Sequence, residues 1–117
     1  MPHLIVEYSS NLAGFPEAQT LTKLNQAVTS SPEVLNEADL KTRIVATDSY
    51  VIGTAPGPGP RAFVYSQLRL LSGRSLDAKR DLSDRSAGVL CRLTPRPNGV
   101  LVDMDRGSYT RDRPGGA

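Results

Sequence analysis

With 117 residues, 38% of them hydrophobic and 22% charged, the chain fits one globular domain over residues 1–117 and is too short for two. Its net charge of +2 does not call for a nucleic-acid or anionic-membrane partner, and its one cysteine, Cys91, excludes an internal disulfide and a multi-cysteine metal site. No apolar run approaches the roughly 20 residues that cross a bilayer. The first residues also lack the pattern of a secretory signal, so we expect a cytoplasmic protein without a membrane partner.

The first half of the chain, residues 1–52, predicts a strand, a helix and a second strand. Residues 3–8 are apolar and β-branched, as in a strand. Pro16 is placed to open a helix, and residues 30–32 end it. Residues 41–52 favour the second strand, with a bend near Asp48. Apolar residues recur at helical spacing at Ala18, Leu21, Leu24 and Val28.

Residues 53–60, Gly-Thr-Ala-Pro-Gly-Pro-Gly-Pro, are rich in glycine and proline, so they predict an exposed connection between two halves. The second half, residues 61–105, repeats the order of the first. A strand is predicted over 61–71 and another over 99–104, with Ser75 as the N-cap of the helix between them. The inner stripe of that helix is predicted at Leu82, Ser86, Val89, Leu90 and Leu93. Cys91 is predicted to be buried in the same helix, and residues 106–117 form a polar tail that is too poor in apolar groups to fold alone.

The repeated strand–helix–strand order predicts an α+β fold with a four-stranded sheet. Each crossover helix implies a parallel strand pair with a right-handed connection. Two helices cover only one face of such a sheet. The other face also carries apolar residues, which indicates an oligomer whose sheets face inward.

The same order of elements fits a ferredoxin-like domain, the fold of RNA-recognition modules. Ala62, Phe63 and Val64 match three consecutive positions of the aromatic RNA-binding motif. Gly59, however, stands where a basic residue belongs, and Ser66 where an aromatic one belongs. We therefore do not expect a nucleic-acid partner.

Three segments carry a resemblance to a known family. They are Met1-Pro2-His3-Leu4-Ile5-Val6-Glu7-Tyr8-Ser9, Lys41-Thr42-Arg43-Ile44-Val45 and Leu71-Ser72-Gly73-Arg74-Ser75-Leu76. In order and spacing, over about residues 2–93, they resemble the 5-carboxymethyl-2-hydroxymuconate isomerases of the tautomerase superfamily. The resemblance implies two β-α-β units in pseudo-twofold relation, assembled as a homotrimer. It also implies that no metal or other cofactor is needed, and that the reaction is isomerisation of dienol acids formed in aromatic catabolism.

The chemistry suits an amino-terminal proline. Once Met1 is removed, Pro2 has a free secondary amine, and burial or nearby cations lower the pKa of such a group below its ordinary range. The neutral amine can take the proton of a 2-hydroxyl group and return it to a distant carbon of the conjugated substrate. Pro2 is therefore the predicted general base.

The substrate of such an enzyme carries two or three carboxylates. Arg43, in the place of the family's arginine-bearing strand, and Arg74 are the candidates to bind them by bidentate hydrogen bonds. Tyr50 is a candidate to line the pocket, and His3 is predicted to be structural. Two alternatives stay open: a relative that uses the same proline for dehalogenation, hydration or decarboxylation, and a catalytically silent small-molecule-binding homologue.

Overall fold

The computed structural model describes residues 2–34, 36–57, 59–70 and 73–105. The helices and strands are β1 His3–Ser9, α1 Glu17–Thr29, a 3-10 helix Glu37–Asp39, β2 Lys41–Thr47, β3 Arg61–Arg69, α2 Leu76–Leu93 and β4 Leu101–Asp105. The predicted tail, residues 106–117, lies outside the described residues. In the described ranges neither helix is long and apolar enough to cross a membrane.

The four strands form one sheet in the order β2-β1-β3-β4. β1 is parallel to β2 and β3 is parallel to β4, as the two crossover helices predicted, while the central pair β1 and β3 is antiparallel. The predicted fold class, a four-stranded sheet with two helices, is confirmed. Because each parallel pair is made of adjacent strands, the arrangement differs from the split β-α-β units of a ferredoxin-like domain.

The two halves start their parallel pairs in the same way. The backbone N–H of Lys41 donates to the carbonyl of Pro2 over 3.2 Å, and the N–H of Leu101 donates to the carbonyl of Pro60 over 3.1 Å. Each proline directly precedes the first strand of its half, and each donor is the first residue of the second strand. Pro2 and Pro60 are therefore equivalent positions in the two β-α-β units.

The two faces of the sheet differ because side chains alternate along each strand. Even-numbered residues of β1 and β3, such as Leu4, Val6, Val64 and Leu68, are almost fully buried beneath the helices. The strand registers pair odd with odd residues throughout the sheet. The odd-numbered residues of the four strands therefore share the opposite face, which we call the open face. Its apolar members are Ile5, Val45, Phe63, Tyr65 and Leu101.

Helix α1 presents a slightly different stripe to the core than predicted. Leu24 and Val28 are fully buried as expected, but Ala18 is exposed and Leu21 is half-buried. Thr20 takes the expected place of Ala18, because residues 20, 24 and 28 lie one turn apart on a single face. Because Thr20 has a polar hydroxyl, the spacing of apolar residues did not predict its burial.

Helix α2 begins as predicted, but the burial predicted for one of its residues, Cys91, is wrong. The Ser75 hydroxyl accepts a hydrogen bond from the N–H of Ala78 over 3.1 Å, which is the predicted N-cap. Leu82, Ser86, Val89 and Leu90 are buried, and Leu93 is half-buried. Cys91 is exposed, because it follows Leu90 by about 100° around the helix and lies beside the buried face rather than on it. Its Sγ lies 3.6 Å from the Met104 Sδ.

The connection from β2 to β3 is longer than predicted, because β2 ends at Thr47 rather than near Ile52. Arg61 organises this connection: its Nη1 donates to the carbonyl of Ile52 over 2.7 Å, and its Nη2 donates to that of Ala55 over 3.5 Å. A Cβ at Gly53 would lie 2.6 Å from the guanidinium, and one at Gly57 would lie 2.3 Å from it. The glycines thus let the chain wrap closely around the Arg61 side chain.

Candidate active site

Pro2 lies buried at the end of the sheet where β1 and β2 begin and β3 ends. Its carbonyl is fixed by the hydrogen bond from Lys41, so the pairing of β1 with β2 also fixes the position of the proline ring. Met1 lies outside the described residues. Removal of Met1 would leave the ring nitrogen as an amine at this end of the sheet.

Arg43 reaches the residue that follows Pro2. Its Cα is the register partner of Ile5, so Arg43 lies on the open face together with His3. The Arg43 Nη1 is 3.1 Å from the His3 Nδ1. A guanidinium group can only donate hydrogen bonds, so His3 Nδ1 must be the acceptor. His3 is therefore neutral in this contact and carries its proton on Nε2.

The surroundings of His3 are electropositive. Partial burial of the ring, followed by the positive charges of Arg43 and Lys41, lowers the pKa of His3 from its usual value of 6.5. Arg69, the register partner of His3 on β3, acts in the same direction. Because Pro2 is the adjacent residue, a protonated amine at Pro2 would be disfavoured by the same cations.

Arg74 is held in the helix layer, on the other side of the sheet from Arg43. Its Nη2 donates to the backbone carbonyl of Glu33 over 3.2 Å, and its Nε lies 3.5 Å from the Glu33 carboxylate. Glu33 follows α1, and Arg74 directly precedes the N-cap of α2. These contacts fix the side chain of Arg74, of which 20% is exposed, between the ends of two elements.

Tyr50 lies at the opposite end of the sheet from Pro2. Its ring packs edge-on against Phe63, with the ring centroids 5.7 Å apart, and the backbone N–H of Phe63 donates to the hydroxyl of Ser9 at the far end of β1. The seven residues of β1 therefore separate Tyr50 from Pro2, a length of roughly 20 Å. Tyr50 lines a cavity of about 460 Å³ with Arg61 and the glycine-rich connection.

Within one chain, then, the predicted site residues fall into three groups. Arg43 lies beside the residue that follows Pro2, Arg74 occupies the helix layer, and Tyr50 lies at the far end. Two groups at the site escaped the sequence analysis. Glu33 is separated from Arg74 by 41 residues, which no local pattern reveals. The contact of His3 with Arg43 depends on the register between β1 and β2. The alternation of side chains along each strand does not give that register, so the contact can be recognised only once the pairing is known.

The family model for 5-carboxymethyl-2-hydroxymuconate isomerase matches residues 2–94, which include Pro2, His3, Arg43 and Arg74. The chain belongs to this isomerase family. The resemblance seen in the three sequence segments is thereby confirmed, and with it the assignment to the isomerases of the tautomerase superfamily. The matched residues end just after α2, so β4 lies beyond them.

Solved structures agree with the family assignment. A 5-carboxymethyl-2-hydroxymuconate isomerase from Deinococcus radiodurans R1 is 25% identical, with a TM-score of 0.73 over 95% of this chain and 84% of that one. A 5-carboxymethyl-2-hydroxymuconate delta-isomerase (23% identity, TM-score 0.64, coverage 96% and 84%) has the same fold. So does a fused 4-OT described as an asymmetric trimer (15% identity, TM-score 0.62, coverage 88% and 84%). Among curated protein sequences none matches this isomerase significantly.

Proposed function

We propose that this isomerase moves a proton within an unsaturated 2-hydroxy di- or tricarboxylic acid, with the amine of Pro2 as general base. The observation that carries the proposal is the position of Pro2: it is buried, its carbonyl is fixed by the strand pairing, and it adjoins a histidine whose pKa is lowered by partial burial and by the cations around it. Burial and nearby positive charges keep an amine unprotonated near neutral pH. A neutral amine has the lone pair that proton abstraction requires.

The proposed reaction conserves protons and needs no co-reactant. The Pro2 nitrogen takes the proton from the 2-hydroxyl group, and the conjugated system shifts its electron pairs towards a distant carbon. The protonated amine then gives the same proton to that carbon, which leaves a 2-oxo acid and a neutral Pro2. Guanidinium groups near the developing oxyanion would stabilise the charge during transfer.

Arg43 and Arg74 are proposed to bind the carboxylates. One lies on the open face and the other in the helix layer, so they approach the end of the sheet from opposite sides. An extended molecule with a carboxylate at each end suits such an arrangement better than a molecule with a single carboxylate. Within a single chain Arg74 is already turned towards Glu33, which sets the orientation of its guanidinium.

The assembly is proposed to be a homotrimer in which a neighbouring copy covers the open face. Val45 is 48% exposed and Leu101 is 55% exposed, both on the outermost strands of that face. Tyr50 lies too far from Pro2 in its own chain, so it can serve a site only next to the Pro2 of a neighbour. A trimer is also the form described for the fused 4-OT of the same fold.

We expect light scattering to give three times the chain mass. Burial of Val45 and Leu101 against a second copy is the physical reason, since each side chain contributes about 1.5–3 kcal/mol when fully buried. Val45→Glu should shift the measured mass towards the monomer. Gln19→Glu, on the exposed side of α1, is the matched control and should leave the mass unchanged. A wild-type chain that scatters as a monomer at assay concentration contradicts the assembly.

The pH dependence of activity tests the role of the amine. For phenylenolpyruvate, kcat/KM should rise with pH and level off, with an apparent pKa below the ordinary 7.7–8.0 of an α-amino group. The rise follows because only the deprotonated amine is active. If the same proline instead acts as an acid, as in the dehalogenating or hydrating alternative, activity should fall as pH rises.

His3 is the one other side chain whose ordinary pKa lies in the same range, and it is the only histidine in the chain. His3→Gln removes its titration and should keep the rising limb of the profile. Loss of that limb in the variant would assign the titration to His3 and remove the support for Pro2.

A further inference from the structure

The cavity of about 460 Å³ at the opposite end of the sheet from Pro2 is a second place where a small molecule can bind, and we call it the far-end cavity. Its walls are formed by Tyr50, Val51, Arg61 and the glycine-rich connection between β2 and β3. It adjoins Pro60, the residue equivalent to Pro2 in the second half. The Pro60 nitrogen is part of an amide, so a molecule held there meets no free amine.

Arg61 brings a positive charge to the far-end cavity, and this charge has no counter-charge among the residues that the structure describes. Its side chain is half-buried, and its acceptors are the neutral carbonyls of Ile52 and Ala55. Asp103 lines a separate cavity of about 110 Å³ with Arg61, but within the described ranges the two form no ion pair. A charge that is partly removed from water is costly unless it is paired. Arg61 therefore favours an anion in the space that it lines.

The direction of the Arg61 guanidinium is fixed before any ligand binds. The Asn11 Nδ2 donates to the Arg61 carbonyl over 2.8 Å, and the Arg61 Nη1 donates to the Ile52 carbonyl over 2.7 Å. Gly53 and Gly57 pass so close to the guanidinium that a Cβ on either would collide with it. A guanidinium has more N–H donors than these carbonyls occupy, so donors remain for a ligand.

The remaining wall of the far-end cavity is apolar. Val51 is 78% exposed, although it is a large hydrophobic residue. The ring of Tyr50 next to it is held edge-on against Phe63. An anion with an apolar body would cover this surface and remove it from water, while its charge meets the guanidinium.

We propose that the far-end cavity binds an aromatic monocarboxylate, with the carboxylate on Arg61 and the aromatic ring against Tyr50 and Val51. The site goes beyond the proposed function, because it lies at the other end of the sheet and does not use the amine of Pro2. The two β-α-β halves would then each present a pocket at the start of their first strand. One pocket carries out the reaction, and the other only binds.

Benzoate is a suitable probe, and NMR of the full chain labelled with ¹⁵N shows where it binds. We expect the backbone amide signals of Gly53, Thr54 and Gly57 to move in a saturable way as benzoate is added. Those of His3 and Lys41, at the Pro2 end, should stay in place. Benzamide has the same ring without the negative charge, so it should leave all of these signals unchanged.

Variants of the two walls test the two parts of the proposal separately. Arg61→Gln should weaken benzoate binding by about tenfold or more, the loss expected for a hydrogen bond to a charged group. Arg80→Gln, at an exposed arginine of α2, is the matched control and should bind benzoate as the wild type does. Val51→Ser should weaken binding by about fourfold, the contribution of roughly one buried methylene group. Because Val51 is exposed, this variant remains informative if Arg61→Gln disturbs the connection.

Three results would overturn the site: amide signals around Gly53 that do not move, benzamide binding as tightly as benzoate, or wild-type affinity in both wall variants. A neighbouring copy that filled the cavity would give the first of these. Movement of the His3 and Lys41 signals alone would place benzoate at the Pro2 end and would also reject the far-end site. None of these results bears on the general base, which is tested by turnover and not by benzoate binding.

Discussion

Replacing Pro2 with alanine is expected to lower kcat/KM for phenylenolpyruvate or 2-hydroxymuconate by about 10²–10⁴, the range that a positioned general base contributes. The proline ring fixes the direction of the nitrogen lone pair and shields it from water. Alanine would leave a primary amine that rotates and is better solvated, so its protonated form would be more stable. Steady-state kinetics on the mature chain, with its first residue established by intact mass, measure the effect.

The fold supplies a matched control at the equivalent position of the second half. Pro60 also precedes a central strand and also accepts a backbone hydrogen bond at its carbonyl, yet its nitrogen is part of an amide. Pro60→Ala should retain activity within about twofold, since no proton-accepting group is changed. Wild-type activity in Pro2→Ala would refute the proline mechanism, and so would full activity in a chain that keeps Met1.

Replacing Arg74 with alanine should lower kcat/KM for dicarboxylate substrates by roughly 10–100-fold, because a hydrogen-bonded charge pair is worth about 1.5–3 kcal/mol. The loss should be largest for substrates with two carboxylates. Stability should fall less, because the partner Glu33 is 38% exposed and can be hydrated. Kinetics with mono- and dicarboxylate substrates, together with thermal unfolding, separate the two effects.

Arg85 is the matched control for Arg74, since it makes the same two kinds of contact. Its Nε lies 2.7 Å from the Asp81 carboxylate, and its Nη1 donates to the carbonyl of Ala27 over 3.3 Å. Arg85→Ala removes an ion pair and a backbone contact from α2 without approaching the proposed site. If both variants lose activity equally, or if Arg74→Ala leaves kcat/KM unchanged, Arg74 has no place in substrate binding.

Most of the fold could be predicted from the sequence because apolar residues repeat with the period of each element. The alternation along residues 61–69 and the spacing of Leu82, Val89 and Leu90 specify a strand and a helix whatever their neighbours are. The burial of Thr20 was not predicted and that of Cys91 was predicted wrongly, because residue type is only a guide to burial. Thr20 completes a stripe with Leu24 and Val28, whereas Cys91 falls one position past the buried face of its helix.

The candidate site was less predictable than the fold. Pro2 could be proposed from the first residues alone, because the chemistry of an amino-terminal proline is local. Arg74 and Glu33 meet through the docking of two loops, and the partners of His3 depend on which strands are neighbours. Tyr50 was predicted to line the same pocket as Pro2, and only the sheet order shows how far apart one chain keeps them.

The matching carbonyl contacts of Pro2 and Pro60 show that the two β-α-β halves repeat one arrangement. The side chains at equivalent positions of the two halves differ in charge. The place that Arg43 holds on β2, third in its strand, is held on β4 by Asp103, and Lys41 corresponds to Leu101. A circular permutant that began at Pro60 would thus free an amine beside a carboxylate, which holds an ammonium ion protonated. Duplication alone does not make a second reactive end, because each half needs both a free terminus and cations around it.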